Sequence, residues 1–172
     1  RRNHRRSPPD LETFSGSASQ QALVVLVAVK VAGIILVFDP YADQAFDLVK
    51  TVFSRATEWM IVGMLAVAVV RHGAAVLGRS WLHVPLLGVV VTTALATATA
   101  EAPYIALYGD TSRYLGLTHV LDMASLALAV SVAFRSHADW AKLAWGTTVA
   151  LLGSVAYAAV QRVGADPFKW AD

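Results

Sequence analysis

The sequence predicts an all-α integral membrane bundle of five transmembrane helices, alternatively four, behind a disordered basic N-terminal arm. Two observations carry this. Hydrophobic residues make up 56% of the chain and charged residues 15%, whereas soluble domains carry about 45–50% apolar and about 25% charged residues. The charge is also uneven: apolar runs near the length of a membrane crossing alternate with short charged turns. The chain has no cysteine, which excludes disulfides, thiolate metal sites, iron–sulfur clusters and a Cys nucleophile. A net charge of +2, with no basic patch interleaved with aromatics, argues against a nucleic-acid partner.

Residues 1–20 read as the arm. Arg1, Arg2, Arg5 and Arg6 form a basic cluster, Ser7-Pro8-Pro9 opposes a helix, and Ser15-Gly16-Ser17 has linker composition. The chain begins with Arg rather than Met, so further residues are expected before it. A signal peptide is rejected, because the apolar run ends in Asp39-Pro40 with no small-residue cleavage site before it. The bundle occupies 21–162, with spans predicted at 21–38, 51–71, 84–108, 114–134 and 140–161, and a short tail at 163–172. Span two takes in Arg55 and Glu58, because the apolar run Trp59–Val70 is too short to cross alone. Before it, Tyr41, Ala45, Leu48, Val49, Val52 and Phe53 recur at helical spacing opposite Asp43, Gln44, Asp47 and Lys50. That pattern predicts an amphipathic helix, lying on the membrane surface or packed on the bundle.

The distribution of basic residues sets the orientation. With the N-terminus inside, Arg1, Arg2, Arg5, Arg6, Arg71, Arg79, Arg135 and Lys142 fall on the cytoplasmic side of the inner or plasma membrane. Lys50, Arg55, Arg113, Arg162 and Lys169 fall towards the outer side, so the excess favours N-in, C-out. Trp81 and Trp140 then mark the inner interface, and Tyr108 and Tyr114 the outer one.

The candidate site is the set of polar groups inside the spans: Lys30, Arg55, Glu58, Glu101, His119 and Asp122. Each intramembrane charge costs roughly 2.5–3.5 kcal/mol on insertion scales, so such residues need a structural or functional reason. Counting along alternating spans places Lys30, Glu58, Glu101 and Asp122 roughly 10–12 Å below the outer boundary, with Arg55 and His119 a turn nearer the surface. Arg55 and Glu58 share a helix face, as do His119 and Asp122, and Thr118 and Asp122. Pro103, just after Glu101, predicts a kink at that depth. The leading reading is an internal ion-pair network of Lys30 and Arg55 against Glu58, Glu101 and Asp122. The alternative is a proton, cation or polar-headgroup site. A metal site on Glu58, Glu101, His119 and Asp122 has acceptable ligand types but no motif spacing.

No cofactor is expected. Haem between helices needs two facing histidines at one depth, but His72 and His83 flank one turn, His137 lies in a loop, and only His119 is deep. There is no nucleophile elbow, phosphate loop or paired zinc motif, and the loops are too short to hold a catalytic domain. Acid–base chemistry on a lipid would have to come from the same cluster, so the reading leans away from an enzyme. In span five Gly146, Ala150, Ser154 and Ala158 form a ladder of small side chains. It serves either packing within the bundle or docking against another membrane subunit.

His83-Val84-Pro85-Leu86, with Thr92-Thr93 beyond it, follows an acid-containing helix running from Glu58 to Arg71 and a short turn at His72–Leu82. In this the chain resembles the phosphate-starvation-inducible E (PsiE) family of small membrane proteins, over roughly Val31 to Arg135. The family has four spans, so span five is an addition, and Glu101 has no counterpart in its pattern. The resemblance implies a stress-linked membrane protein with no defined reaction. The functional expectation is a non-catalytic accessory or interaction subunit in the lipid bilayer, partnered by other membrane proteins. The alternative is a proton- or ion-handling transporter.

Overall fold

A computed structural model describes residues 14–37, 47–78, 80–109 and 115–165. The described residues are helical, with no strand. The helices are α1 (Ala18–Leu36), α2 (Asp47–His72), α3 (His83–Ala98), α4 (Pro103–Tyr108), α5 (Leu117–Ala133) and α6 (His137–Arg162). A 3-10 turn, Ala74–Leu77, follows α2.

Helix α1 begins earlier than its apolar run suggests, and residues 14–20, assigned to the arm on composition, are structured. Ser17 caps the helix, its Oγ accepting from the Gln20 backbone N–H at 3.2 Å, while Gln20 Oε1 reaches back to the Gly16 N–H. This is a variant of the reciprocal cap in which a Gln at the third helical position satisfies an orphan donor. Phe14, 1% exposed, packs edge-on against His72, with ring centroids 5.5 Å apart. Composition alone hid both features, because Ser, Gly and Gln mark helix starts as well as linkers.

Direction alternates along the chain. Phe14 meets His72 and Lys30 meets Glu58, so α1 and α2 are antiparallel. Arg55 reaches Thr118, and Arg135 reaches the Val76 carbonyl at 3.3 Å, so α2 and α5 run parallel. His83 lies 3.4 Å from Ser131, making α3 antiparallel to α5. Gln20 meets Asp139, and Ala28 lies beside Gly146, so α1 and α6 are parallel. Helix α1 is the hub, packed against α2, α5 and α6, while α3 rests on α5. Leu23, Val24 and Val27 of α1 join Ile61, Leu65 and Ala68 of α2 and Ala129, Val132 and Ala133 of α5 in the core.

Gly33 fixes how closely α1 and α2 approach: a Cβ there would lie 2.2 Å from the Phe53 ring. The last turns of the predicted amphipathic helix prove continuous with α2, which starts at Asp47. Its earlier residues, Tyr41, Asp43, Gln44 and Ala45, lie outside the described residues, as do Asp39-Pro40, Arg79, Arg113, Tyr114, the arm before Phe14 and the tail beyond Ala165.

Span three is not one helix. Helix α3 stops at Ala98 and α4 starts with Pro103 at its first turn, Ala102 lying outside the helical region at φ −120° and ψ 79°. Proline disfavours helical backbone in the residue before it and donates no N–H, so the predicted kink becomes a full break. Before it, Thr92, Thr93, Thr97 and Thr99 satisfy their hydroxyls on carbonyls one turn back.

Three helices are long and apolar enough to cross a membrane: Ala18–Leu36, Leu48–His72 and His137–Arg162. The apolar helices His83–Ala98 and Leu117–Ala133 are shorter. Large apolar side chains cover much of the exterior, among them Val70, Trp81, Val84, Leu95, Trp145 and Val155.

Candidate functional site

Three helices contribute to one polar seam. Lys30 of α1 is fully buried, its aliphatic stem enclosed and its Nζ 2.7 Å from Glu58 Oε2 and 2.7 Å from the Ser54 carbonyl oxygen. The other Glu58 oxygen accepts a hydrogen bond from the Ser125 hydroxyl of α5. One turn towards the start of α2, Arg55 Nε lies 3.5 Å from Asp122 Oδ2, and its Nη2 donates to Thr118 Oγ1 at 2.7 Å. The two pairs differ in cover. Side-chain exposure is 0% and 4% for Lys30 and Glu58, against 28% and 19% for Arg55 and Asp122.

Helical spacing explains the convergence. Arg55 and Glu58 are one turn apart on α2, and Thr118, Asp122 and Ser125 follow one another at one-turn intervals on α5. Because α2 and α5 run parallel, both contacts form in a single register. Lys30 then enters from α1, the helix packed against both. Two cations face two carboxylates, so the four-residue cluster is charge-balanced.

Of the six residues singled out from sequence, Lys30, Arg55, Glu58 and Asp122 form this cluster. His119 adjoins it, lining a cleft of about 260 Å³ together with Lys50, Thr51, Arg55 and Asp122. Glu101 does not join. It is exposed in the break between α3 and α4, and no ion pair or hydrogen bond among the described residues links it to the others. The depth count assumed an unbroken helix through Pro103, and the break invalidates that count. Among the described residues, no group of three or more His, Cys, Asp or Glu side chains is placed to hold a metal ion.

A second polar node ties the other end of the bundle, and the sequence reading missed it. Buried Gln20 donates from Nε2 to the Ala133 carbonyl at 2.7 Å and to Asp139 Oδ2 at 3.4 Å. Asp139 Oδ2 also accepts from the Ser136 hydroxyl at 2.8 Å and the Ser136 N–H at 3.0 Å, while Asp139 N–H donates back to Ser136 Oγ. The available signal was Ser136-x-x-Asp139 ahead of an apolar run, an acid in the reciprocal capping pattern.

The small-residue ladder of α6 faces α1. A Cβ at Gly146 would touch Ala28 Cβ at 4.0 Å, and Ala150 is buried. Ser154 and Ala158, with Gly153 and Tyr157, line a cleft closed by Ile35 and Leu36 of α1 and by Val37 just beyond its end. The opposite face of α6, with Trp145, Val149, Leu152 and Val155, is exposed.

These elements define the class as an all-helical bundle with apolar helices and a charge-balanced interhelical cluster. No known family model matches the chain, and neither a curated protein nor a solved structure does.

Proposed function

We propose that the chain is a five-span, N-in, C-out protein of the inner or plasma membrane. In this reading it acts as a non-catalytic accessory or interaction subunit, in line with the stress-linked role implied by its resemblance to the PsiE family. Alternating helix direction and an apolar exterior support membrane insertion, since lipid rather than water is the solvent such a surface suits. The observation that carries the non-transport reading is the charge balance of the cluster. Each intramembrane acid in it has a cation from a neighbouring helix, an arrangement suited to fixing helix positions.

Mild-detergent purification from native membranes, with mass spectrometry and an absorbance spectrum on one sample, tests the interaction role. Co-purification with another membrane protein at fixed stoichiometry is expected. A lone monomer or homo-oligomer overturns it. Orientation is read by labelling single introduced cysteines with an impermeant maleimide, a clean experiment because the chain has no cysteine of its own.

A second reading, proton or ion handling, rests on one feature: Arg55 and Asp122 both line two neighbouring clefts along the α2–α5 seam. It predicts pH-driven flux in liposomes that Asp122→Asn abolishes while the protein still folds.

A further inference from the structure

Helix α3 has no buried residue and packs principally on α5. Its half-buried side carries Leu86, Val90, Thr93 and Thr97. On the open side Val84, Leu87, Val91 and Leu95 recur three and four residues apart, all exposed. Acyl chains would cover such an apolar stripe as readily as another helix would, so the stripe alone selects neither. The residue at its outer end does.

The break before Pro103 voids a depth count from Tyr108, yet α3 can be ranged from its other end through α5. His83 lies beside Ser131, and fifteen residues separate His83 from Ala98 as they do Ser131 from Gly116. Helix α3 therefore stops level with the start of α5, where Thr118 meets Arg55. Helix α2 begins eight residues before Arg55, and α1 runs six residues past Lys30, whose Nζ holds the Ser54 carbonyl. Both helices thus continue roughly 9–12 Å beyond the end of α3. Thr99 and Ala100 stay in a turn, their N–H groups donating to the Leu95 and Thr97 carbonyls at 3.1 and 3.3 Å. Glu101 follows within about one turn's rise, roughly 5 Å, and so stays short of the outer ends of α1 and α2. It is exposed there, with no ion pair or hydrogen bond among the described residues.

We infer that the open face of α3 is the surface on which the partner docks, and that the partner presents a transmembrane helix whose Lys or Arg meets Glu101. The inference rests on the accessory-subunit reading above and adds to it a surface and a partner chemistry. A carboxylate facing hydrocarbon is costly, and lipid tails bring no counter-charge. Glu58 and Asp122 each meet a cation from a neighbouring helix, and a basic residue on a second protein would give Glu101 the same complement across the interface. The stripe from Val84 to Leu95 extends about 16 Å along α3, which suits an apolar helix lying alongside. A second copy of this chain suits it poorly. In a two-fold dimer through this face, each α3 brings its own Glu101 to the same level, and like charges meet.

The test places the photo-cross-linking residue p-benzoylphenylalanine at Leu95 of the full chain in native membranes, and in a parallel sample at Trp145 on the exposed face of α6. Cross-linked peptides are identified by mass spectrometry. From Leu95 the expected product is a transmembrane segment of another protein with a Lys or Arg in its outer half. Glu101→Gln is expected to lower that yield about tenfold at limiting expression, the lower end of what a close charge pair contributes across an interface. The melting temperature of the isolated protein is expected to stay unchanged. Glu101→Lys is expected to abolish the product, and exchanging the partner's basic residue for Glu to restore it. Cross-links to a second copy of this chain, a partner segment without a basic residue, or a yield indifferent to Glu101→Gln each overturn the proposal. A fall in melting temperature with Glu101→Gln also overturns it, because a cation of the same chain would then hold Glu101. Lipid adducts alone from Leu95, with a partner captured from Trp145, overturn this surface and leave the accessory role standing. Lipid adducts alone from both positions overturn both.

Discussion

Lys30 offers the sharpest test of what the charged seam does. Replacing Lys30 by Met keeps most of the buried stem and removes the charge. Glu58 then holds a buried carboxylate whose remaining polar partner from another helix is Ser125. Both side chains are almost wholly enclosed, at 0% and 4% exposure, so solvent does little to offset the loss. Removing one partner of a buried pair costs about 3–5 kcal/mol. For a chain of this size, a loss of each kcal/mol lowers the melting temperature by about 2–4 °C, so Lys30→Met is expected to lower it by about 6–20 °C. The double variant Lys30→Met/Glu58→Leu removes the orphaned charge as well. Apolar replacement of a whole buried pair is often neutral or stabilising by about 1–4 kcal/mol, so most of the loss is expected to return. The assay is thermal unfolding of the four proteins of the cycle in one detergent, with the coupling taken as the non-additive part. A double variant no more stable than Lys30→Met would refute the pairing, because Lys30 would then matter for something other than Glu58.

Other outcomes follow from particular contacts. Gly33→Ala drives a Cβ into the Phe53 ring and is expected to cost about 1–3 kcal/mol, with rescue by Phe53→Leu; equal stability with and without the rescue rejects the contact. Ser136→Ala removes the α6 cap and one donor to Asp139, for an expected loss of about 0.5–2 kcal/mol, measurable as earlier hydrogen exchange in the first turn of α6. Glu101→Gln, being exposed and outside the cluster, is expected to stay within about 0.5 kcal/mol of the parent. A loss on the scale of Lys30→Met would place Glu101 back among the paired charges.

What the sequence made legible and what it did not follow from two different kinds of information. Depth is encoded in one dimension. Apolar runs and their charged ends give it, which is why Lys30 and Glu58 could be set at one level before their contact was seen. The count failed for Glu101 because Pro103 interrupts the helix along which the residues were counted. Azimuth and adjacency are not encoded in any run. Nothing in α5 distinguishes Ser125 from a serine satisfied on its own helix, and it does sit 2.8 Å from the Leu121 carbonyl oxygen. Only the parallel placement of α2 and α5 brings Ser125 to Glu58. Gln20 and Asp139 were missed for a related reason: each looks like a boundary residue, and their meeting depends on α1 and α6 starting at the same end.

The same geometry argues for what the seam contributes to the fold. Apolar helices packed side by side resist axial slippage weakly, because one layer of Leu, Val and Ala packs much like the next. A slip of one residue rotates a helix face by about 100°. Such a slip of α5 against α2 would turn Thr118, Asp122 and Ser125 away together, since all three lie along one stripe. Arg55 would lose Asp122 and Thr118, and Glu58 would lose Ser125, at once; Lys30 would still hold Glu58, but the Arg55 and Asp122 charges would be left unpaired. The polar residues therefore penalise the wrong registers far more than they favour the right one, which is how a balanced cluster can specify a bundle while adding little net stability.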